Sequence, residues 1–318
     1  MSRFIVPVVL FLVTGGAVGA ELPVIDYVNA ASADVDVILD VRPAADCQSG
    51  SLPGARCLPA EDVLAPHRRL ANISGILWLL GTAGLQGDEH VLIVGERGQQ
   101  REFMAGLLYL AGQQRISILN QPLSRVTGGS DGQRPGSPRS LTREAVWQAP
   151  LRADRVLLRS ELGAQLLRND APVLIDGRSE AEYWGQRIRA VRGGHLPGAQ
   201  HLAAASLSSA SGEAFDALAF GGEPVAYAHD TYEGLVYLSR LLARGVGARL
   251  YLEGWVGWAS DGALPVDSLA FPEMERAPAM IPAVSSGSGV GRWPPILMLL
   301  AAAALAVIGF QAGCRRRG

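Results

Sequence analysis

The stretch Val173-Leu174-Ile175-Asp176-Gly177-Arg178 limits the fold more than any other in the chain. A short run that is apolar on both faces fits a strand covered from both sides, and such strands belong to parallel sheets flanked by helices. The run ends on an acidic and a basic residue. A charged turn follows, and then Gly193-Gly194-His195-Leu196-Pro197-Gly198-Ala199, a tight Gly/Pro turn that leads into the next apolar segment. The same order occurs earlier in the chain. Val37-Ile38-Leu39-Asp40-Val41-Arg42 mirrors the strand and its charged end, and Gly50-Ser51-Leu52-Pro53-Gly54-Ala55 mirrors the turn. The later copy is longer between these marks, through Trp184 to Gly193.

Each copy continues in the same way. A second buried strand is predicted at Val91–Val94 and at Val225–Tyr227. A helix follows at Glu102–Ala111 and at Gly234–Arg244, with apolar residues at helical spacing. A third strand follows at Arg115–Leu119 and at Ala248–Leu252. Alternation of strand and helix argues for an α/β class with parallel sheets and right-handed crossovers. The length of 318 residues accommodates two such domains, placed at 22–127 and 151–268. The Gly/Ser/Pro-rich stretch within 128–150 reads as their linker, and 269–292, with Ser285-Ser286-Gly287-Ser288-Gly289, as a second one.

The two ends read as targeting segments. Residues 1–20 carry one early Arg, an apolar run from Phe4 to Val13 and small residues at Val18 and Ala20, the pattern of a secretory signal peptide. Residues 293–313 are apolar over about the length that crosses a bilayer, and 314–318 form a basic tail with Arg315, Arg316 and Arg317. The positive-inside rule keeps that tail in the cytoplasm and the bulk of the chain on the periplasmic side of a bacterial inner membrane. Processing of the same segment as a C-terminal sorting signal is the alternative. The net charge of -2 gives no reason to expect nucleic acid as a partner. All 28 basic residues are Arg.

The strand ending in Asp176 and Arg178, then Glu182-Tyr183, then Gly194 to Ala199, resembles the rhodanese (sulfurtransferase) domain. So does Glu253-Gly254-Trp255-Val256-Gly257-Trp258 ahead of Leu264-Pro265-Val266. The first copy has Asn120-Gln121-Pro122-Leu123 where that ending belongs. The resemblance implies two rhodanese-like domains, the first degenerate, plus a C-terminal transmembrane helix. It also implies a chemistry: a Cys in the loop after the second strand takes a sulfane sulfur as a persulfide, cradled by loop amides and a helix N-terminus.

Neither loop has that Cys. The first reads Gly95-Glu96-Arg97-Gly98-Gln99-Gln100-Arg101, with Gly95 at the Cys position. The second reads Ala228-His229-Asp230-Thr231-Tyr232-Glu233-Gly234, with Ala228 there and Thr231 at the loop Gly. No Cys occurs from Leu58 to Gly313, and Glu96, Asp230 and Glu233 oppose an anion cradle. No catalytic residue is therefore expected. The related phosphatases need the same Cys and are excluded with it. Asp176, Arg178, Arg192, Ala228, His229, Asp230, Thr231 and Gly234 remain as the candidate ligand pocket of the second domain. Asp176 and Arg178 are expected to cap and pair around the turn. Arg187, Arg189 and Arg192 read either as a solvated face or as contacts for an anion.

Cys47 falls at the family's Tyr position and Cys57 just after the first turn. For an exported chain three states stay open: a structural disulfide, two buried thiols, or a redox-active pair. Cys314 belongs to the basic tail. The five histidines, His67, His90, His195, His201 and His229, do not make a metal set, so no metal or cofactor is expected. The function this implies is a membrane-anchored, periplasm-facing binding or scaffolding protein, whose partner is a periplasmic protein or a small anion. The alternatives are sulfur transfer through a non-standard or partner Cys, and a thiol–disulfide role for Cys47 and Cys57.

Overall fold

The computed structural model describes residues 24–128, 133–168, 172–207 and 222–268. The first half runs β1 (Ile25–Val28), β2 (Val37–Asp40), α1 (Ala44–Ser49), β3 (Arg56–Cys57), β4 (Leu64–Ala65), β5 (Arg69–Leu70), α2 (Ile73–Thr82), β6 (His90–Val94), α3 (Gly98–Ala111), β7 (Arg115–Leu119), α4 (Leu123–Val126) and β8 (Ser137–Pro138). The second runs β9 (Val156–Leu157), α5 (Arg159–Leu167), β10 (Leu174–Asp176), α6 (Glu180–Tyr183), β11 (Gln200–His201), β12 (Val225–Tyr227), α7 (Thr231–Ala243), β13 (Arg249–Tyr251) and α8 (Gly254–Ala259).

The first sheet has the order β1-β7-β6-β2-β3-β8 and the second β9-β13-β12-β10-β11, all parallel. The two orders coincide strand for strand, with β8 added at one edge of the first sheet. Equivalent registers make the internal repeat concrete: Asp40 pairs with Cys57 and Val94, and Asp176 with His201 and Tyr227. The central strands are buried on both faces, as their continuous apolar runs require.

Both long helices begin earlier than periodicity predicts, at Gly98 and Thr231. Their first turns carry polar side chains, so the apolar spacing becomes visible only one turn in. The strand-to-helix connections therefore shrink to three residues each, 95–97 and 228–230.

The described residues of the expected linker are laid along the first half. Arg134 exchanges backbone hydrogen bonds with Ser51, and β8 pairs with β3. Glu144 and Ala145 both donate from their backbone N–H to the Gly81 carbonyl. Close approach calls for a glycine at 136, where a β-carbon would lie 2.4 Å from Cys47 Sγ.

The described residues of both halves belong to one compact unit. One hydrophobic core is shared by α3 and α7, which pack face to face between the sheets. Phe103 and Tyr232 stack with ring centroids 4.4 Å apart. Arg240 donates to both carboxylate oxygens of Glu102, at 3.0 and 2.7 Å, and the Tyr27 hydroxyl donates to the same carboxylate at 2.8 Å. The approach is close enough that a β-carbon at Gly106 would lie 2.4 Å from the Leu235 carbonyl oxygen.

Cys47 and Cys57 form a disulfide, with Cα atoms 5.8 Å apart and both side chains buried. Of the three open states, the bond excludes two buried thiols, while a structural disulfide and a redox-active pair both contain it. It ties α1 to β3 across the Gly/Pro turn. Among the described residues no helix is long and apolar enough to cross a membrane. The expected signal peptide, the 269–292 linker, the 293–313 span and the 314–318 tail all lie outside the described residues.

Two measurements test this packing. Gly→Ala inside a helix ordinarily stabilises by about 1 kcal/mol. Gly106→Ala is expected to do the opposite and cost about 1–3 kcal/mol by overpacking, read from urea denaturation; a stabilised variant would mean the helices do not touch there. The disulfide closes a separation of 10 residues. Its replacement by Ser at both positions is expected to cost about 2–3 kcal/mol, and a reductant should then destabilise the parent chain but not the variant.

Candidate functional site

Each half carries the same bracket at the end of its second strand in the chain. Arg178 donates from its backbone N–H to Asp176 Oδ1 at 2.9 Å, from Nε to the same atom at 3.0 Å, and from Nη2 to Oδ2 at 2.6 Å. Nη2 also donates to the Gly194 carbonyl at 2.8 Å, which fixes the Gly/Pro turn to the strand end. In the first half Arg42 repeats this with Asp40 and with the Gly50 carbonyl, at 2.5 Å for the latter. Burial alone lowers the Arg178 guanidinium, but the hydrogen bonds and charge of Asp176 outweigh it and hold the group above its ordinary value. The pairing expected of Asp176 and Arg178 is thus present.

Beyond the bracket, Trp255 lies under the Arg178 guanidinium at 4.5 Å from the ring centroid. The first turn of α8 then holds the site loop. Trp255 N–H donates to the Ala228 carbonyl at 2.8 Å and Val256 N–H to the His229 carbonyl at 2.9 Å. The first half has a shorter equivalent in α4, where Leu123 N–H donates to the Gly95 carbonyl at 3.2 Å.

The two loops differ in what they leave open. A β-carbon at Gly95 would lie 3.0 Å from Val41 Cγ2 and 3.6 Å from side-chain atoms of both Arg42 and Arg101. The Arg101 guanidinium fills the space behind, donating to the Gly95 carbonyl at 2.5 Å. Ala228, in contrast, lines a cavity of about 290 Å³. Its wall includes Arg178, Arg187, Arg189, Arg240, Glu182 and Glu233, and Gln99 reaches it from the first half.

Of the residues predicted for the pocket, the structure brings Arg178 and Ala228 to this cavity and places the others elsewhere. Asp176 is wholly buried behind Arg178. Arg192 turns away and caps the end of α8, donating to the carbonyls of Trp258, Ala259, Asp261 and Leu264 at 2.6–3.3 Å. Its positive charge serves the carbonyl-rich end of the helix rather than a ligand. Thr231 donates its hydroxyl to the Leu252 carbonyl at 2.9 Å, and Gly234 packs against Leu250 in the shared core. Asp230 accepts from Glu233 N–H at 2.8 Å as the N-cap of α7 and faces Arg68 at 3.6 Å. His229 is half-buried with no partner for its Nδ1. Burial holds its pKa down, and the nearby Arg189 charge adds to that.

The acidic residues set against an anion cradle are largely spoken for. Glu96 accepts from the Ser124 hydroxyl at 2.7 Å. Glu233 forms a two-point pair with Arg189 at 2.8 Å for each contact, and Arg189 also donates to Glu182 at 2.5 Å. Arg240 is matched by Glu102 and Arg178 by Asp176. Arg187 is the cavity guanidinium with no ion pair among the described residues. Glu233, Val236 and Arg240 share one face of α7 at helical spacing, which could have marked them from sequence. Nothing local marks Gln99, because it joins the site only through the packing of α3 on α7.

The charge network has a pH signature. Burial holds His195 and His229 below the ordinary histidine range. Although burial would raise Glu182 and Glu233, the hydrogen bonds of Ser179 and Arg189 to Glu182 and of Arg189 to Glu233 hold both below the carboxylate range. In each case the unfolded chain takes up protons at a higher pH than the folded one, so stability falls as pH falls. The decline should start below about pH 6.5 with the histidines and steepen below about pH 4.5 with the carboxylates. Arg189→Gln should flatten the lower limb in a denaturation series from pH 7 to 3.

Residues 25–126 match the rhodanese-like domain family. A thiosulfate sulfurtransferase of Azotobacter vinelandii is 29% identical over 205 residues, which is 57% of this chain and 69% of that protein. The crystal structure of a probable thiosulfate sulfurtransferase superposes with a TM-score of 0.53 at 27% identity, covering 75% of this chain and 99% of the other. A variant of EanB in complex with ergothioneine superposes with a TM-score of 0.60 at 17% identity, covering 76% of this chain and 66% of that one, a likeness of fold. The bracket, the Gly/Pro turn and the parallel sheet thus accompany a match to the rhodanese-like domain over residues 25–126 and a similarity to thiosulfate sulfurtransferases in sequence and in fold.

Proposed function

We propose that this chain is a tandem rhodanese-like protein that binds a small anion, or the anionic group of a partner protein, without transferring sulfur itself. The observation that carries this reading is Ala228: the residue that follows β12 lines the cavity, yet its side chain ends at a methyl group. Sulfane transfer needs a thiolate at that point to attack the donor and hold the sulfur, and no Cys lies between residues 58 and 313. The remaining wall is suited to recognition. Arg187 offers an unmatched positive charge, and about 290 Å³ admits a ligand of a few heavy atoms. Both domains act as one unit in this reading, because the cavity draws on α3 as well as α7. Residues 1–20 and 293–313 deliver and hold the protein at the periplasmic face of the inner membrane.

The buried disulfide speaks against the redox alternative and against a persulfide on Cys47 or Cys57, since neither sulfur is free or exposed.

The purified chain is expected to form no thiocyanate from thiosulfate and cyanide above the uncatalysed rate. Ala228→Cys, which adds one sulfur facing existing space, is expected to give a thiolate that attacks the outer sulfur of thiosulfate and keeps it as a persulfide while sulfite leaves, a gain of about 32 mass units read by intact mass spectrometry on the order of one sulfur per chain. Turnover by the parent chain would sink the proposal. An unreactive thiol at 228 would mean that the cavity does not serve this position.

A further inference from the structure

A second cavity, of about 530 Å³, lies beside α5 at the sheet edge formed by β9. It sits at the end of the second sheet where β9 and β13 begin, whereas Ala228 follows the end of β12. Two arginines line it, Arg168 at the end of α5 and Arg249 at the start of β13. Neither has a carboxylate partner among the described residues, and the Arg249 Nε–H is buried with no acceptor. The two carboxylates in the same wall are engaged elsewhere. Asp154 pairs with Arg155 at 3.3 Å, and Glu161 accepts from the Leu158 N–H at 2.8 Å. The Ser160 hydroxyl and the Gln165 amide add neutral polar groups, and Val156 and Ala164 supply an apolar part.

We propose that this cavity binds an organic anion, with its oxyanion head on Arg168 and Arg249 and a short apolar body along Val156 and Ala164. The reasoning is electrostatic. A guanidinium gains most from an oxyanion when no carboxylate already occupies its donors, and its planar fork matches two oxygens at once. Elsewhere in the second half Arg178, Arg189 and Arg240 are matched by carboxylates, and Arg192 by carbonyls. Like Arg187 in the other cavity, Arg168 and Arg249 depart from that pattern, and here two such guanidiniums share one space of small-molecule size. This site does not rest on the reading of the Ala228 cavity, since the two share no residue.

The test uses the full chain and phenyl phosphate, with inorganic phosphate as the head-group control. Titration is followed by the arginine Nε–H resonances in NMR, the Arg249 signal being assigned through Arg249→Gln. Phenyl phosphate is expected to shift the Arg249 resonance saturably, and more tightly than inorganic phosphate does. Arg168→Gln and Arg249→Gln are each expected to weaken binding at least about fivefold, in line with loss of a charge-assisted contact. Arg168 is exposed at a helix end, so its variant keeps the test valid if Arg249→Gln does not fold. Binding that moves Arg187 instead of Arg249, binding unchanged in Arg168→Gln, or no saturable shift would each overturn the proposal.

Discussion

The structure hangs on a buried carboxylate–guanidinium bracket at the end of one strand, made twice. Asp176 and Arg178 are buried side by side, as Asp40 is against Arg42, and each Arg reaches on to a carbonyl of the turn that follows. Two charges taken from water are tolerated only when they satisfy each other and their remaining donors. The bracket achieves this with planar two-point contacts that an ammonium group could not make. In the second half its influence runs further. Arg178 rests on Trp255, and the backbone of Trp255 holds the Ala228 carbonyl. The wall of the cavity and the strand end are therefore one mechanical unit.

The two halves keep this frame and diverge around it. The position of Cys47 in α1 corresponds to that of Tyr183 in α6, and the register places Cys57 where His201 stands. In the second half the Tyr183 hydroxyl donates to the Ala199 carbonyl at 2.6 Å, and its ring lies 5.1 Å from that of His201. In the first half a covalent bond replaces this pair. Both solutions tie the short helix to the strand after the turn. The site loops diverge in the opposite sense: Arg101 and Val41 close the space at Gly95, while the space at Ala228 stays open.

Packing of α3 on α7 then decides what the pair of halves can do. It merges two cores into one and brings Gln99 to a cavity otherwise built by the second half. It also sets the Glu102–Arg240 pair at the cavity's edge, with Tyr27 behind it. The described residues from 133 on, laid along β3 and α2, form part of the first half's surface.

Much of this was legible along the chain. Apolar runs ending in Asp-x-Arg marked β2 and β10, because a strand buried on both faces must be apolar throughout. The repeat disclosed the matching strand orders, and Gly95 and Ala228 stood at the two turns because each follows such a run directly. Tertiary structure alone decided the rest. Whether Cys47 and Cys57 bond depends on the separation of α1 and β3, which spacing does not fix. Arg192 serves a helix end and Arg187 a cavity, though both belong to one basic cluster in sequence. Charge neighbours in the chain are not charge neighbours in space, and the energy of a guanidinium is set by which oxygens the fold brings within about 3 Å.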